Sequence, residues 1–119
     1  MELAPGMTLV HCGGHFPGSA MLHHNRDDGE LFTGDTLCVP PDHRSVTVMY
    51  SFPNYIPVSA AKVRQVANAV EPFEFRRLYG QWWDAVIPDG GKDVIRRSAE
   101  RYAAAIHGKY DEQPERKIA

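Results

Sequence analysis

His11-Cys12-Gly13-Gly14-His15-Phe16-Pro17-Gly18-Ser19, followed downstream by Thr33-Gly34-Asp35, is the pairing that decides how this chain is read. Gly13-Gly14 and Pro17-Gly18 bracket His15 with turn signals, and Gly34 precedes Asp35. Each of these two side chains therefore stands where a short strand gives way to a sharp turn. An imidazole and a carboxylate held that way can converge on one divalent ion, zinc or a similar metal.

The elements around the pair follow from local pattern. Met7 to His11 is a short apolar and β-branched run after Pro5-Gly6 and reads as a strand. Ser19 to His24 reads as a second strand. Asn25 to Gly29 is a polar turn with Asp28-Gly29 as its hairpin signal. Glu30 to Thr33 then forms a third strand, antiparallel to the second. Arg44 to Tyr50 carries Val46, Thr47 and Val48 and reads as a fourth strand or an extended loop. Ser51 to Pro57 is irregular. Ser59 caps a helix starting at Ala60, with Val63, Val66, Ala67 and Val70 at helical spacing and Pro72 ending it. Phe75 to Tyr79 is a short strand closed by Gly80. Asp89 or Gly90-Gly91 opens a last helix whose apolar side holds Val94, Ile95, Ala99, Tyr102, Ala103 and Ile106, and Gly108 stops it. The order implies an α+β fold of two layers, a mainly antiparallel sheet with the helices on one face. One domain is expected over residues 1–109, with 110–119 a polar, flexible tail.

Composition narrows the function classes. A chain of 119 residues makes one ordinary domain, and 43% hydrophobic with 24% charged residues is a soluble globular balance. A net charge of -2 gives no electrostatic reason to expect nucleic acid. The pairs Arg76-Arg77 and Arg96-Arg97 read as solvated faces. No stretch approaches the ~20 apolar residues of a membrane span. With no secretory pattern near Met1 and only Cys12 and Cys38 as thiols, a cytoplasmic location is expected. The nucleophile elbow, the phosphate loop, the dinucleotide glycine fingerprint and the paired-cysteine zinc motif are all absent from the sequence.

Gly14-His15-Phe16-Pro17-Gly18-Ser19, then a hairpin, then Thr33-Gly34-Asp35-Thr36, resembles the second half of the metallo-β-lactamase superfamily. That family has a Gly-His-Thr-Pro-Gly-Ser pattern, a strand pair, then Gly-Asp, and its order of elements also matches from about Leu3 to Ile106. The resemblance implies that His15 and Asp35 are metal ligands, Asp35 bridging two metals in the family, and that Asp35 serves catalysis. The family's first ligand motif, His-x-His-x-Asp-His, is missing, and the last short strand ends in Tyr79-Gly80 where the family places a histidine. The chain therefore looks like one half of the family's αββα sandwich. The bare side of its sheet is then expected to meet a second copy, giving a homodimer with two-fold symmetry.

Each site residue also has a plain structural role to set beside the chemical one. His15 reads either as a ligand or as a turn histidine bonded to nearby backbone. Asp35 reads either as a ligand that orients a metal-bound water or as a carboxylate accepting turn amides. His11 and Cys12 are accessory-ligand candidates, although strand alternation turns only one of them inward and a buried cysteine usually fills space. Cys38 has that same filler reading. Of His23 and His24, one packs and the other meets solvent; His43 and His107 take no role. Tyr79, Trp82 and Trp83 follow the last strand as a pocket wall or as core or interface packing, and Met49-Tyr50-Ser51-Phe52 as a pocket rim or a dimer contact. Two functional readings result. One is a metal-dependent hydrolase half with an incomplete metal site, not catalytic alone, whose remaining ligands come from a partner or from an upstream N-terminal half. The other is a non-catalytic, self-associating module derived from that fold.

Overall fold

The computed structural model describes residues 1–50 and 57–112. The chain forms β1 (Glu2–Ala4), β2 (Met7–His11), β3 (Ala20–His24), β4 (Glu30–Phe32), α1 (Ala60–Val70), β5 (Arg77–Tyr79), β6 (Val86–Ile87) and α2 (Gly91–Ile106). The strands make one sheet in sequence order, antiparallel throughout except for the parallel β4–β5 pair. The α+β class, the mainly antiparallel sheet and the shared helix face are as the sequence implies.

Alternation sorts the strands into an inner and an outer face. Val10 pairs with Met21, His23 with Leu31, Leu31 with Leu78, and Leu78 with Ile87. All of these side chains turn toward the helices and are buried, where the apolar ones join Val66, Val70, Val94 and Ile95 in one core. α1 starts where Ser59 accepts a hydrogen bond from the Lys62 amide (3.2 Å), and buries Ala60, Val63, Val66 and Val70. α2 follows Gly90, which is left-handed at φ 68°, and buries Val94, Ile95, Ala99 and Ala103.

The outer face has a different composition. Leu9 pairs with Leu22, Leu22 with Phe32, Phe32 with Tyr79, and Tyr79 with Val86, so five apolar or aromatic side chains form one row across β2 to β6. Met1 extends the row, since its backbone exchanges both hydrogen bonds with Leu9 (2.7 and 3.0 Å). No described element covers the row, and Phe32 and Tyr79 stack at 4.9 Å between ring centroids. Beside it runs a second, mostly polar row: Met7, His24, Glu30 and Arg77.

Two expectations are corrected. β1 and β6 are additional strands, three and two residues long. Residues 44–50 take the extended-loop alternative, with one Cys38–Thr47 bridge and further bonds to His15, Arg97 and Ser98. Arg77 is not a solvated residue: its side chain is 15% exposed and 3.2 Å from the Glu30 carboxylate. Arg76, Arg96 and Arg97 are exposed as expected. Tyr110, the first residue of the expected tail, packs under the Arg101 guanidinium at 5.0 Å. The remainder of the tail, 113–119, lies outside the described residues, as does most of the irregular segment at 51–57.

Candidate functional site

Strand direction brings the candidate residues to one edge. β2 and β4 are both antiparallel to β3, and β5 is parallel to β4, so all three run the same way. Their C-terminal ends open into the loop holding His15, the turn holding Asp35, and the loop holding Trp82 and Trp83.

The His15 loop is a closed unit. The amides of Cys12 and Gly13 both donate to the Ser19 carbonyl (3.1 and 2.9 Å), and the Ser19 amide donates to the Phe16 carbonyl (2.9 Å). Gly14 is required here on two counts: its φ is +99°, and a Cβ would sit 2.7 Å from Val66 Cγ2 of α1. Gln65 of α1 donates to the Cys12 carbonyl at 2.8 Å. His15 is half-buried, and its Nδ1 lies 2.9 Å from the Met49 carbonyl, an acceptor only. Nδ1 therefore carries the proton in the neutral ring, leaving the lone pair on Nε2. Metal-binding histidines are commonly held by such a bond to the other ring nitrogen. His43 makes a similar bond to the Val86 carbonyl (2.8 Å), so the arrangement alone does not single out a ligand.

The Asp35 turn hangs from β4. The Thr33 amide donates to the Tyr79 carbonyl (3.0 Å), the Thr36 amide to the Thr33 carbonyl (3.1 Å), and Thr33 Oγ1 to the Leu37 carbonyl (2.6 Å). Asp35 is exposed, and among the described residues its carboxylate takes no hydrogen bond from the turn amides. Its charge does reach Cys38, whose thiol is pushed up first by burial and then by Asp35. The two loops are joined by Ser19 Oγ and Thr36 Oγ1, 2.5 Å apart and both buried.

The other candidates separate. Alternation splits His11 and Cys12 as expected: His11 is exposed on the outer side, and Cys12 lies in the core. Burial pushes the Cys12 thiol up to about 11, against a smaller opposing effect of Thr36, so it is a filler rather than a ready thiolate. Cys38 is half-buried. His23 is buried and bonds the Glu74 carbonyl at 2.8 Å, while His24 keeps partial access to solvent. Trp82 and Trp83 are 72% and 100% exposed, so neither packs in the core of this chain; Tyr79 is half-buried against Phe32. Met49 supports His15 through its carbonyl, Tyr50 is exposed, and Ser51 and Phe52 lie outside the described residues. Among the described residues no group of three or more histidine, cysteine, aspartate or glutamate side chains could hold a metal.

Sequence reasoning missed Glu30. Its side chain is 3% exposed, yet it receives Arg26 Nε, Arg77 Nη2 and His24 Nδ1, each at 3.2 Å. Burial would raise its pKa; the hydrogen bonds and charges of Arg26 and Arg77 outweigh that and hold it below the ordinary value. The available signal was an acid opening an apolar strand four residues after Arg26.

No family model matches the chain. It is similar to the uncharacterized protein YmaE of Bacillus subtilis (strain 168), 40% identical over 110 residues, which is 90% of this chain and 40% of that relative. The chain thus spans about two fifths of the length of the curated relative it matches.

Proposed function

We propose that this chain is the C-terminal half of a metallo-β-lactamase-like, metal-dependent hydrolase acting on an ester, thioester, amide or phosphoester. The observation that carries this reading is the convergence of the His15 loop and the Asp35 turn at one sheet edge, joined by Ser19 and Thr36. His15 Nε2 and the Asp35 carboxylate suit zinc or a similar ion, but they are two donors where a catalytic zinc site has three and a water. The residues present therefore fit half of a site, and a second sheet supplies the rest. When bound, the metal would lower the pKa of its water to about 7. The chain's own residues fix the imidazole through the Met49 carbonyl and leave the Asp35 carboxylate free to orient that water. The bare outer row supports the half-sandwich reading, because a sheet inside a sandwich is apolar on the side facing its partner sheet. That same row also favours a second reading, a self-associating module without catalysis.

Elemental analysis after zinc loading and dialysis tests the first reading. Stoichiometric metal in the wild type, lost in His15→Ala and in Asp35→Ala, is expected. Metal that survives either substitution, or that never loads, refutes it.

A further inference from the structure

The outer face tells what covers it through its size, its charge and the place of its exposed aromatics. The six strands hold 21 residues; at ~3.3 Å rise and ~4.8 Å spacing they make a face of roughly 330 Å². A standard interface buries about 800 Å² on each partner, so the sheet alone supplies about two fifths. The remainder is available at the periphery. Trp82 and Trp83 are 72% and 100% exposed at the loop edge, and Met1 and Leu3 are 77% and 55% exposed at the β1 flank.

We propose that this face is an interface between two copies of the chain, related by a two-fold axis running along the strands. Three observations support a second copy in this orientation. First, β3 and β4 are the central strands, so the axis sets Leu22 of one copy against Phe32 of the other and lays apolar row on apolar row. Second, the polar row does not oppose self-contact. The positive charges of Arg26 and Arg77 are matched by the negative charges of Glu30 and Asp27, so like ends meet without net repulsion. Third, an axis across the strands would set the loop-edge aromatics of one copy against the charged row of the other. The axis along the strands instead gathers Trp82 and Trp83 of both copies. It also brings two His15–Asp35 pairs to one end, a four-donor set that neither copy holds alone; this last point rests on the metal reading above.

Trp82 and Trp83 are the two tryptophans of the chain, so intrinsic fluorescence reads this edge directly. The experiment combines sedimentation velocity, tryptophan emission and zinc content at micromolar protein with equimolar zinc. The wild type is expected to sediment as a dimer with blue-shifted emission. Phe32→Glu and, independently, Leu22→Lys are expected to raise the dimer dissociation constant by at least about thirtyfold, with unchanged far-ultraviolet circular dichroism and red-shifted emission. His15→Ala is expected to lose zinc. A monomeric wild type with red emission overturns the proposal, as does a folded Phe32→Glu or Leu22→Lys protein that remains dimeric. A Phe32→Glu monomer that holds zinc as tightly as the wild type refutes the shared site but leaves His15 and Asp35 as ligands. A wild-type dimer that takes up no zinc supports the interface and refutes the metal reading.

Discussion

The bond between Ser19 and Thr36 is where the candidate site is most open to test. Both residues are 3% exposed, so water cannot replace either partner when one is removed. Thr36→Val keeps the shape, deletes one hydroxyl and strands the other. A net hydrogen bond contributes about 1 kcal/mol, and an unsatisfied buried hydroxyl costs about 1–3 kcal/mol. Thr36→Val and Ser19→Ala are therefore each expected to destabilise by about 1.5 kcal/mol, within the range for a stranded buried hydroxyl. The double variant leaves no stranded group and should cost only about 1 kcal/mol. The cycle then yields a coupling of about 2 kcal/mol, well outside ordinary additivity error of about 0.5 kcal/mol. Urea denaturation with a common m-value measures all four proteins. Each single variant should also melt roughly 6 °C lower, given about 4 °C per kcal/mol at this size. A double variant whose cost equals the sum of the singles would show that the two loops are not held by this contact, and the argument for one site would lose its anchor.

Two further outcomes follow from burial and charge. At pH 8 about one Cys12 in a thousand is thiolate, given its pKa of about 11, so a disulfide reagent should label Cys38 first and Cys12 only after unfolding; equal labelling rates in the folded chain would contradict the core position of Cys12. Glu30 is lowered from its ordinary 4.5 on folding, so its contribution is full above that value and disappears as pH falls through the lower folded one. Glu30→Gln should cost about 2 kcal/mol at pH 7, and thermal melts of the wild type and variant should converge on acidification below about 4.5; parallel curves would refute the pairing.

What the sequence reveals depends on how much signal each element carries. β2, β3 and the two helices are long enough to show a period, and Ser59, Gly80 and Gly108 mark ends that the structure keeps. β1 is three exposed residues and β6 only two, too short for alternation to register. Val46, Thr47 and Val48 carry a strand's composition for another reason. Val46 is buried against α2, where its amide donates to Ser98 Oγ (3.0 Å), so β-branched packing is satisfied by a helix instead of a neighbouring strand. His15 and Asp35 were legible because glycines flank them. Glu30 and Arg77 were not, because a buried ion pair between residues 47 apart in sequence leaves no local pattern.

The outer row yields one more test, and its sign separates two states of the sheet. An antiparallel sheet with one face in water normally places polar residues on that face. Here Leu9, Leu22, Phe32, Tyr79 and Val86 stand where those polar residues belong. Leu22→Thr introduces a β-branched residue that suits a strand and removes apolar area from this row alone. If the face stands in water, the change falls within about 0.5 kcal/mol, as surface substitutions do. If a second copy covers it, the lost burial is about 1–2 kcal/mol per chain, and the wild-type melting temperature rises with protein concentration because association is linked to folding. A concentration-independent melt together with a neutral Leu22→Thr would mean that the apolar row contributes nothing to stability, and the case for a covering sheet would fail on energetics before any partner was sought.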